Sequence, residues 1–266
     1  MPAYEIVPGD AASPVVLHVP HSSTWIPDDV RAGILLDDAA LRDELAAMTD
    51  ACTDLVALLA ADASSPRPWA FVNRASRLVV DPERFTDPAA EEMEAVGMGA
   101  VYTSTSQRTP LREAEPEHRA ALLDEYFHPY AAALADLVDE RLEACGRAVI
   151  LDVHSYPAAA LPYELHAADE RPRVCLGTDA AHTPAALLEA ARTAFGRWDV
   201  ATDQPFRGTY VPLRHYGRDT RVESLMLEIR RDQYLGPGNG PEDERIAELA
   251  LAVAELVAAA GRPSAR

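Results

Sequence analysis

The sequence predicts an α/β protein in which helices cover both faces of one central sheet. Short β-rich runs alternate with longer helical patterns along the chain, which is typical of this class. The run at residues 148–151 is continuously apolar, as expected for a central strand buried on both faces. The length of 266 residues suits one large domain, so residues 1–266 are expected to form a single unit. We therefore expect a three-layer α/β/α sandwich around a mixed, mostly parallel sheet.

The individual elements follow from local periodicity. The predicted strands are residues 15–19, 69–73, 78–81, 148–153, 173–177 and 224–229. The clearest helix spans about residues 117–144, where apolar residues recur at three- or four-residue steps. A last helix is predicted from near Pro241 to Gly261. Residues 84–116 and 201–221 lose this periodicity, and the first of these is long enough to predict a lid or a binding loop.

Composition limits the classes of partner. The formal net charge of −19 would repel phosphate backbones and anionic lipid, so neither a nucleic-acid nor a membrane partner is expected. Cys52, Cys145 and Cys175 are far apart without a CxxC pair, which predicts small core residues rather than a disulfide framework. The sequence has neither a signal-peptide pattern nor an apolar run of about 20 residues. A cytoplasmic protein is the simplest expectation.

Polar residues follow three of the predicted strands. The common catalytic motifs are missing, including GxSxG, Walker A and HExxH. VVLHVPHSS places His21 after the first strand, ILDVHSYP ends in Asp152, His154 and Ser155, and LMLEIRRD contains Glu228. Ligands of α/β sheets bind outside the carboxyl ends of the strands. Two imidazoles and a carboxylate there suit a catalytic zinc ion, with a nearby glutamate as general base.

Plainer interpretations exist for each of these residues. A single histidine at a strand end more often caps a backbone group or lies at the surface than binds metal, and this interpretation is preferred for His18. His118 and His128 are expected to be helical surface or packing residues. Asp152 could orient an imidazole or simply belong to a turn. Glu228 could be a salt-bridge partner of Arg230 or Arg231.

Taken together, the segments resemble the N-formylglutamate amidohydrolase family, whose relatives include the zinc carboxypeptidases and aspartoacylases. They occur in the family's order and cover roughly residues 15–235. The matching segments are VPHSSTWIP, MTDACTDL, SRLVVDPERF, TPLRE, FHPYAAAL, ILDVHS, LGT, FRGTY with RHYG, and LEIRRDQYL. No single segment is specific, but nine in register are hard to obtain by chance.

The resemblance implies one Zn²⁺ per chain, bound by His21, Asp50 and His154. Asp50 matches the carboxylate ligand better than Asp54, which remains the alternative. Manganese, iron or cobalt could occupy the same ligands. The implied partner is a small acidic N-acyl amino acid, first of all N-formyl-L-glutamate, which would yield formate and glutamate. The chain is expected to be a monomer or a small homo-oligomer.

The resemblance also assigns the remaining roles. Glu228 matches the general base toward the attacking water, and Arg77 is expected to stabilise the substrate's carbonyl oxygen. The implied substrate-binding residues are Arg84, Arg112, Arg207 and Ser155.

Asp50 conflicts with the periodicity around it. In one unbroken helix the buried stripe would run from Leu41 to Leu59, and Asp50 would face solvent. The conflict disappears if the helix breaks near Met48 and restarts with Thr49 or Asp50 as its N-cap. We therefore expect a break at this point.

One segment departs from the family pattern. The usual Asp-Leu-Asn-Arg appears here as Asp81-Pro82-Glu83-Arg84. Losing the asparagine removes a neutral donor to a substrate carboxylate, and Glu83 adds a like charge if it points inward. Arg84 can still make a two-point contact with a carboxylate. Another N-acyl amino acid or a peptide C-terminus is therefore an alternative substrate, and a non-catalytic acidic-metabolite-binding relative is an alternative of another class.

Overall fold

The structure is a computed structural model that describes residues 2–262. Its strands are β1 (Tyr4–Val7), β2 (Val15–Val19), β3 (Trp69–Asn73), β4 (Ala148–Tyr156), β5 (Val174–Gly177), β6 (Val200–Thr202) and β7 (Val222–Arg230). They form one seven-stranded sheet in the order β1-β3-β2-β4-β7-β5-β6. The neighbours β3, β2, β4 and β7 are parallel, β1 is antiparallel to β3, and β5 is antiparallel to β7. The predicted mixed, mostly parallel sheet is confirmed.

Helices cover both faces of this sheet, which confirms the three-layer class. They are α1 (Asp28–Ala32), α2 (Asp38–Met48), α3 (Thr53–Ala63), α4 (Pro116–Leu122), α5 (His128–Cys145), α6 (Ala185–Ala194) and α7 (Asp243–Ala260). Leu17 of β2 belongs to the apolar cluster formed with α3, α6 and α7, whereas its neighbour Val16 packs with residues of α5. The alternation of side chains along a strand thus supplies both interfaces.

The predicted helix at 117–144 is confirmed with one irregularity. A π-helical segment, Leu123–Phe127, joins α4 to α5. Pro129 follows it at the start of α5 and lacks the backbone N–H that a regular α-helical ladder needs. The buried side chains of the π-helical segment pack against Val79 and Val80, so this helix reaches the loops at the carboxyl ends of the strands.

One predicted strand is wrong. Residues 78–81 form no strand, because the guanidinium of Arg112 donates to the carbonyls of Leu78 and Val79 within a turn at residues 77–79, and the Asp81 N–H donates to the carbonyl of Ala100. The short strands β1 and β6 were not predicted, since their residues are only partly buried or exposed and alternate weakly. The predicted last helix is confirmed, from Asp243 near Pro241 to Ala260 just before Gly261.

The cysteines fit their prediction only in part. Cys175 is buried in β5, as expected. Cys52 and Cys145 are only partly buried, so a core position is wrong for these two. Within residues 2–262, no helix combines the length and the apolar character needed to cross a membrane.

Short 3₁₀ segments lie between the longer elements, at Glu92–Val96, Arg231–Gln233 and Pro237–Asn239. The loop at 84–116 is fixed to α2 by Glu44, whose buried carboxylate accepts hydrogen bonds from the backbone N–H and the hydroxyl of Ser106 at 2.6 and 2.7 Å. This loop is therefore held against the body of the protein.

Candidate metal centre

Three neighbouring parallel strands bring the candidate site together. His21 lies two residues beyond β2, His154 lies in β4 and Glu228 in β7. His154 and Glu228 are direct partners in the pairing of β4 with β7. Residues paired in this way point to the same face of a sheet, so the two side chains are neighbours. The same face carries Ile150 nearer the start of β4, and α5 covers it there.

Asp50 reaches the same place because the helix breaks. α2 ends at Met48 and α3 begins at Thr53, so Asp50 lies in the connection, where its N–H donates to the carbonyl of His21 at 3.0 Å. The predicted break is confirmed. The predicted N-cap is wrong: Cys52, with a left-handed φ of 64°, precedes the first residue of α3.

Three potential ligand atoms converge at this point. Nδ1 of His154 lies 3.2 Å from Nδ1 of His21 and 3.2 Å from Oδ2 of Asp50, and the remaining side of the triangle is 3.6 Å. Tetrahedral ligands at 2.0–2.1 Å from a zinc ion are about 3.3 Å apart. The three residues are buried, with exposures of 1 to 4%. The donor set and its spacing therefore fit a divalent cation such as zinc.

A carboxylate lies beside the far nitrogen of each imidazole. Nε2 of His21 forms a hydrogen bond with Oδ1 of Asp81 at 2.9 Å, and Nε2 of His154 lies 3.1 Å from Oδ1 of Asp152 without a hydrogen bond. Carboxylates in these positions favour the proton on Nε2 and leave Nδ1 on the side of the other potential ligands. The interpretation of Asp152 as a residue that orients an imidazole is thus supported over a turn role, since it lies within β4.

The carboxylate of Asp50 is held by the guanidinium group of Arg231. Its Oδ1 accepts a hydrogen bond from Nη2 of Arg231 at 3.0 Å, and Arg231 also donates to the carbonyl of Ala47 and the hydroxyl of Ser155. Burial opposes ionisation, yet His154, His21 and Arg231 together hold the pKa of Asp50 well below its usual range. Asp50 is therefore a carboxylate at neutral pH.

Glu228 has the environment expected of a proton acceptor. Its Oε2 is buried and has no hydrogen-bond partner within residues 2–262. Burial raises the pKa of Glu228 to about 8, with Asp50 adding to the rise and His154 opposing it. The salt bridge considered from sequence does not form, because Arg230 pairs with Asp232 and Arg231 with Asp50.

A cavity of about 430 Å³ opens onto these residues. Arg77, Arg84, Arg207 and Ser155 line it together with the three potential ligands and Glu228. Arg77 is fixed by Asp81 at 2.7 Å and by the hydroxyl of Tyr102 at 3.0 Å.

The other two cavity arginines are less constrained. Arg84 is 3.5 Å from Asp81, and Arg207 is exposed with no ion-pair partner in the part of the chain that the structure describes. Ser155 lies in the cavity wall, and its hydroxyl accepts a hydrogen bond from Nε of Arg231 at 3.2 Å.

Arg112 does not lie with the other candidates. It is buried outside the cavity lining, where its guanidinium donates to the carbonyls of Leu78 and Val79. This position stabilises the turn that follows β3 and separates Arg112 from the residues that line the cavity.

The structure adds residues that sequence reasoning did not assign to the site. Asp81 was named only as part of a motif, and Arg231 only as a partner of Glu228. Arg231 lies 181 residues from Asp50, a distance across which single-sequence patterns carry no signal. The expectation that His18 caps a backbone group or lies at the surface is wrong: it is fully buried between two side chains, Asp152 at 2.8 Å and the hydroxyl of Tyr130 at 2.5 Å.

A known protein family matches most of the chain. Residues 13–235 match the profile of the family described as N-formylglutamate amidohydrolase. No curated protein shows significant similarity to the sequence.

Two solved structures, at low sequence identity, share the fold. The N-formylglutamate amidohydrolase from Ralstonia eutropha JMP134 is 22% identical, with 97% of each chain covered and a TM-score of 0.79. A gene product from Agrobacterium tumefaciens is 19% identical over 96% of this chain and 93% of its own, with a TM-score of 0.70. A metallo-carboxypeptidase from Pseudomonas aeruginosa is more distant, with 13% identity, coverage of 92% and 56%, and a TM-score of 0.36.

Proposed function

Because the chain belongs to the N-formylglutamate amidohydrolase family and is thereby an amidohydrolase, we propose that it uses a divalent cation, zinc first, to hydrolyse the amide bond of a small N-acyl acidic amino acid. N-formyl-L-glutamate is the leading substrate, and its products are formate and L-glutamate. The observation that carries the proposal is the triangle of His21 Nδ1, His154 Nδ1 and Asp50 Oδ2, with the unpaired carboxylate of Glu228 beside it.

The cation would be held by His21, Asp50 and His154. When bound, a divalent cation supplies Lewis-acid polarisation of the amide carbonyl and lowers the pKa of a water molecule. The chain's own contribution is to fix the three ligands before the cation arrives. Asp81, Asp152 and Arg231 do this from behind.

Glu228 moves the proton. The oxygen of the attacking water forms a bond to the carbonyl carbon while Glu228 accepts a proton from that water. The C–N bond then breaks, and Glu228 returns the proton to the departing amine. A buried carboxylate with one oxygen free of hydrogen bonds is suited to both steps, because no protein donor must be displaced.

Arg77 is placed to stabilise the oxygen that becomes negative. Two of its nitrogens are held by Asp81 and Tyr102, which leaves Nη1 for a ligand in the cavity. A guanidinium fixed in advance costs little reorganisation as charge develops in the transition state.

Arg207 and Arg84 are the proposed contacts for the substrate's carboxylates. Both line the cavity, and Arg207 has no carboxylate partner among residues 2–262. Guanidinium groups bind carboxylates through two parallel hydrogen bonds. Their local charge can attract an acidic substrate despite the net charge of −19.

A second substrate class is favoured by one observation. Glu83 lines the cavity where the family pattern has a neutral asparagine, and it places a negative charge near a bound dicarboxylate. The cavity of about 430 Å³ also admits acyl groups larger than formyl. Another N-acyl amino acid or a peptide C-terminus is therefore the alternative substrate.

One assay separates these cases. The purified protein, loaded with zinc, is given formyl-, acetyl- and succinyl-glutamate and the matching aspartate derivatives, and release of the free amino acid is measured. The proposal predicts the highest kcat/KM for a formyl dicarboxylate. A preference for acetyl or succinyl derivatives favours the alternative, and no hydrolysis of any of them contradicts the proposal.

A further inference from the structure

A second carboxylate approaches the imidazole of His154 from the side away from the proposed cation. Oε2 of Glu83 lies 3.2 Å from Nε2 of His154 and 3.8 Å from Nε2 of His21, while Oε1 is 3.6 Å from Nδ1 of His18. Only 15% of the Glu83 side chain is exposed. The residue therefore points inward, at the back of the imidazoles.

Nε2 of His154 is flanked by two carboxylate oxygens. Asp152 Oδ1 is 3.1 Å away and Glu83 Oε2 is 3.2 Å away, although neither forms a hydrogen bond with Nε2. Asp152 already has other donors, since His18 Nδ1 contacts Oδ1 at 2.8 Å and the N–H of Tyr210 contacts Oδ2 at 3.3 Å. Glu83 Oε2 is thus a second carboxylate oxygen within reach of His154 Nε2, beside an Asp152 that His18 engages.

We propose that Glu83 is a positioning residue of the metal centre, which shares the Nε2 proton of His154 with Asp152 and strengthens metal binding through Nδ1. A carboxylate on the far N–H of a ligand imidazole fixes its tautomer and raises the basicity of the metal-binding nitrogen. The inference rests on the proposed function in one respect, because it requires a cation on the Nδ1 side. It gives Glu83 a role toward the cation in addition to its place in the cavity wall.

The same geometry separates this role from a purely structural one. Oε1 of Glu83 is buried without a hydrogen-bond partner among residues 2–262, and Oε2 approaches only imidazole nitrogens, at 3.2 and 3.8 Å. Replacing Glu83 by the equally large glutamine therefore removes no hydrogen bond from the metal-free fold. The substitution should weaken metal binding more than it weakens the metal-free fold.

The test compares Glu83→Gln with Glu92→Gln. Both substitutions remove one negative charge from the wall of the same cavity, but Glu92 is exposed and contacts no imidazole among residues 2–262. Zinc affinity is measured by competition with a chromophoric chelator, with no substrate present. Glu83→Gln should weaken zinc binding about tenfold, and Glu92→Gln by less than about twofold. Equal affinities for the two variants would overturn the proposal.

Two further readouts separate positioning from structure. The thermal midpoint of the metal-free Glu83→Gln protein should stay close to that of the wild type, and its cobalt-loaded form should show a shifted visible absorption spectrum. A variant that misfolds, or that loses thermal stability while its zinc affinity is unchanged, contradicts the proposal. If the wild type binds zinc through Nδ1 but hydrolyses no N-acyl amino acid, the proposed function fails while this inference is still tested.

Discussion

His154 and Glu228 face each other across adjacent parallel strands, as direct partners in the register of β4 and β7. The pairing places a candidate metal ligand and a candidate base on the same face of the sheet. Rigid strands hold such groups more accurately than loops do, and general acid–base catalysis depends on that accuracy. The separation of ligand and base is therefore built into the backbone.

Replacing Glu228 tests the assignment of the base. Glu228→Gln keeps the size of the side chain but cannot accept the proton of the attacking water. We expect kcat to fall by about a thousandfold, within the range typical of general bases, while zinc content stays near that of the wild type. Steady-state kinetics and elemental analysis of the same preparation measure both quantities. Turnover close to wild type would reject the assignment.

The choice between Asp50 and Asp54 has a matched pair of variants. Asp50 contacts both imidazoles, whereas Asp54 pairs with Arg74 at 3.1 Å and does not line the cavity. Asp50→Asn should lose most of its zinc on dialysis, and Asp54→Asn should retain it. If Asp54→Asn alone loses its zinc, the carboxylate ligand is Asp54 and not Asp50.

Arg207 is expected to act in substrate binding. Arg207→Met should raise KM for N-formyl-L-glutamate about tenfold with a smaller change in kcat, because the lost contact is present in both ground and transition states. Arg214→Met is the control, since Arg214 is similarly exposed but pairs with Asp136 and Asp139 and does not line the metal cavity. An unchanged KM in Arg207→Met would remove this residue from the site.

The raised pKa of Glu228 predicts a pH dependence of stability. Its pKa is about 8 in the metal-free folded protein, against 4.5 for an ordinary glutamate, so the folded state binds the extra proton between these values. Stability contributed by that proton is complete below about pH 4.5 and is lost as pH rises toward 8. The free energy of unfolding of metal-free wild type should therefore decline relative to Glu228→Gln between pH 5 and 8. If the free energies of unfolding of the two proteins change in parallel over this pH range, the pKa of Glu228 is not raised.

Much of the fold could be predicted from local patterns. The apolar runs of β2, β4 and β7 are long, and the polar residues at their ends identify the carboxyl edge of the sheet. The break between α2 and α3 was also predictable, because an unbroken helix would have turned Asp50 away from the histidines. The apolar runs carry their information within a few residues, whereas the break followed from the family resemblance that assigns Asp50 to the ligand set.

The features that were not predicted depend on contacts between residues far apart in the sequence. Residues 78–81 have the composition of a strand, but their backbone groups are taken by Arg112 and by the loop at Ala100. The pairing of Arg231 with Asp50 joins a segment after β7 to the connection between α2 and α3. The inward turn of Glu83 depends on the position of His154, which only the folded sheet defines.

The location of the cation is the central claim, and anomalous scattering at the zinc edge from crystals of the zinc-loaded protein tests it most directly. The account predicts one strong peak bounded by Nδ1 of His21, Nδ1 of His154 and a carboxylate oxygen of Asp50. A peak on the opposite side of the imidazoles, among His21, Asp81 and Glu83, or no peak in this region, would contradict it.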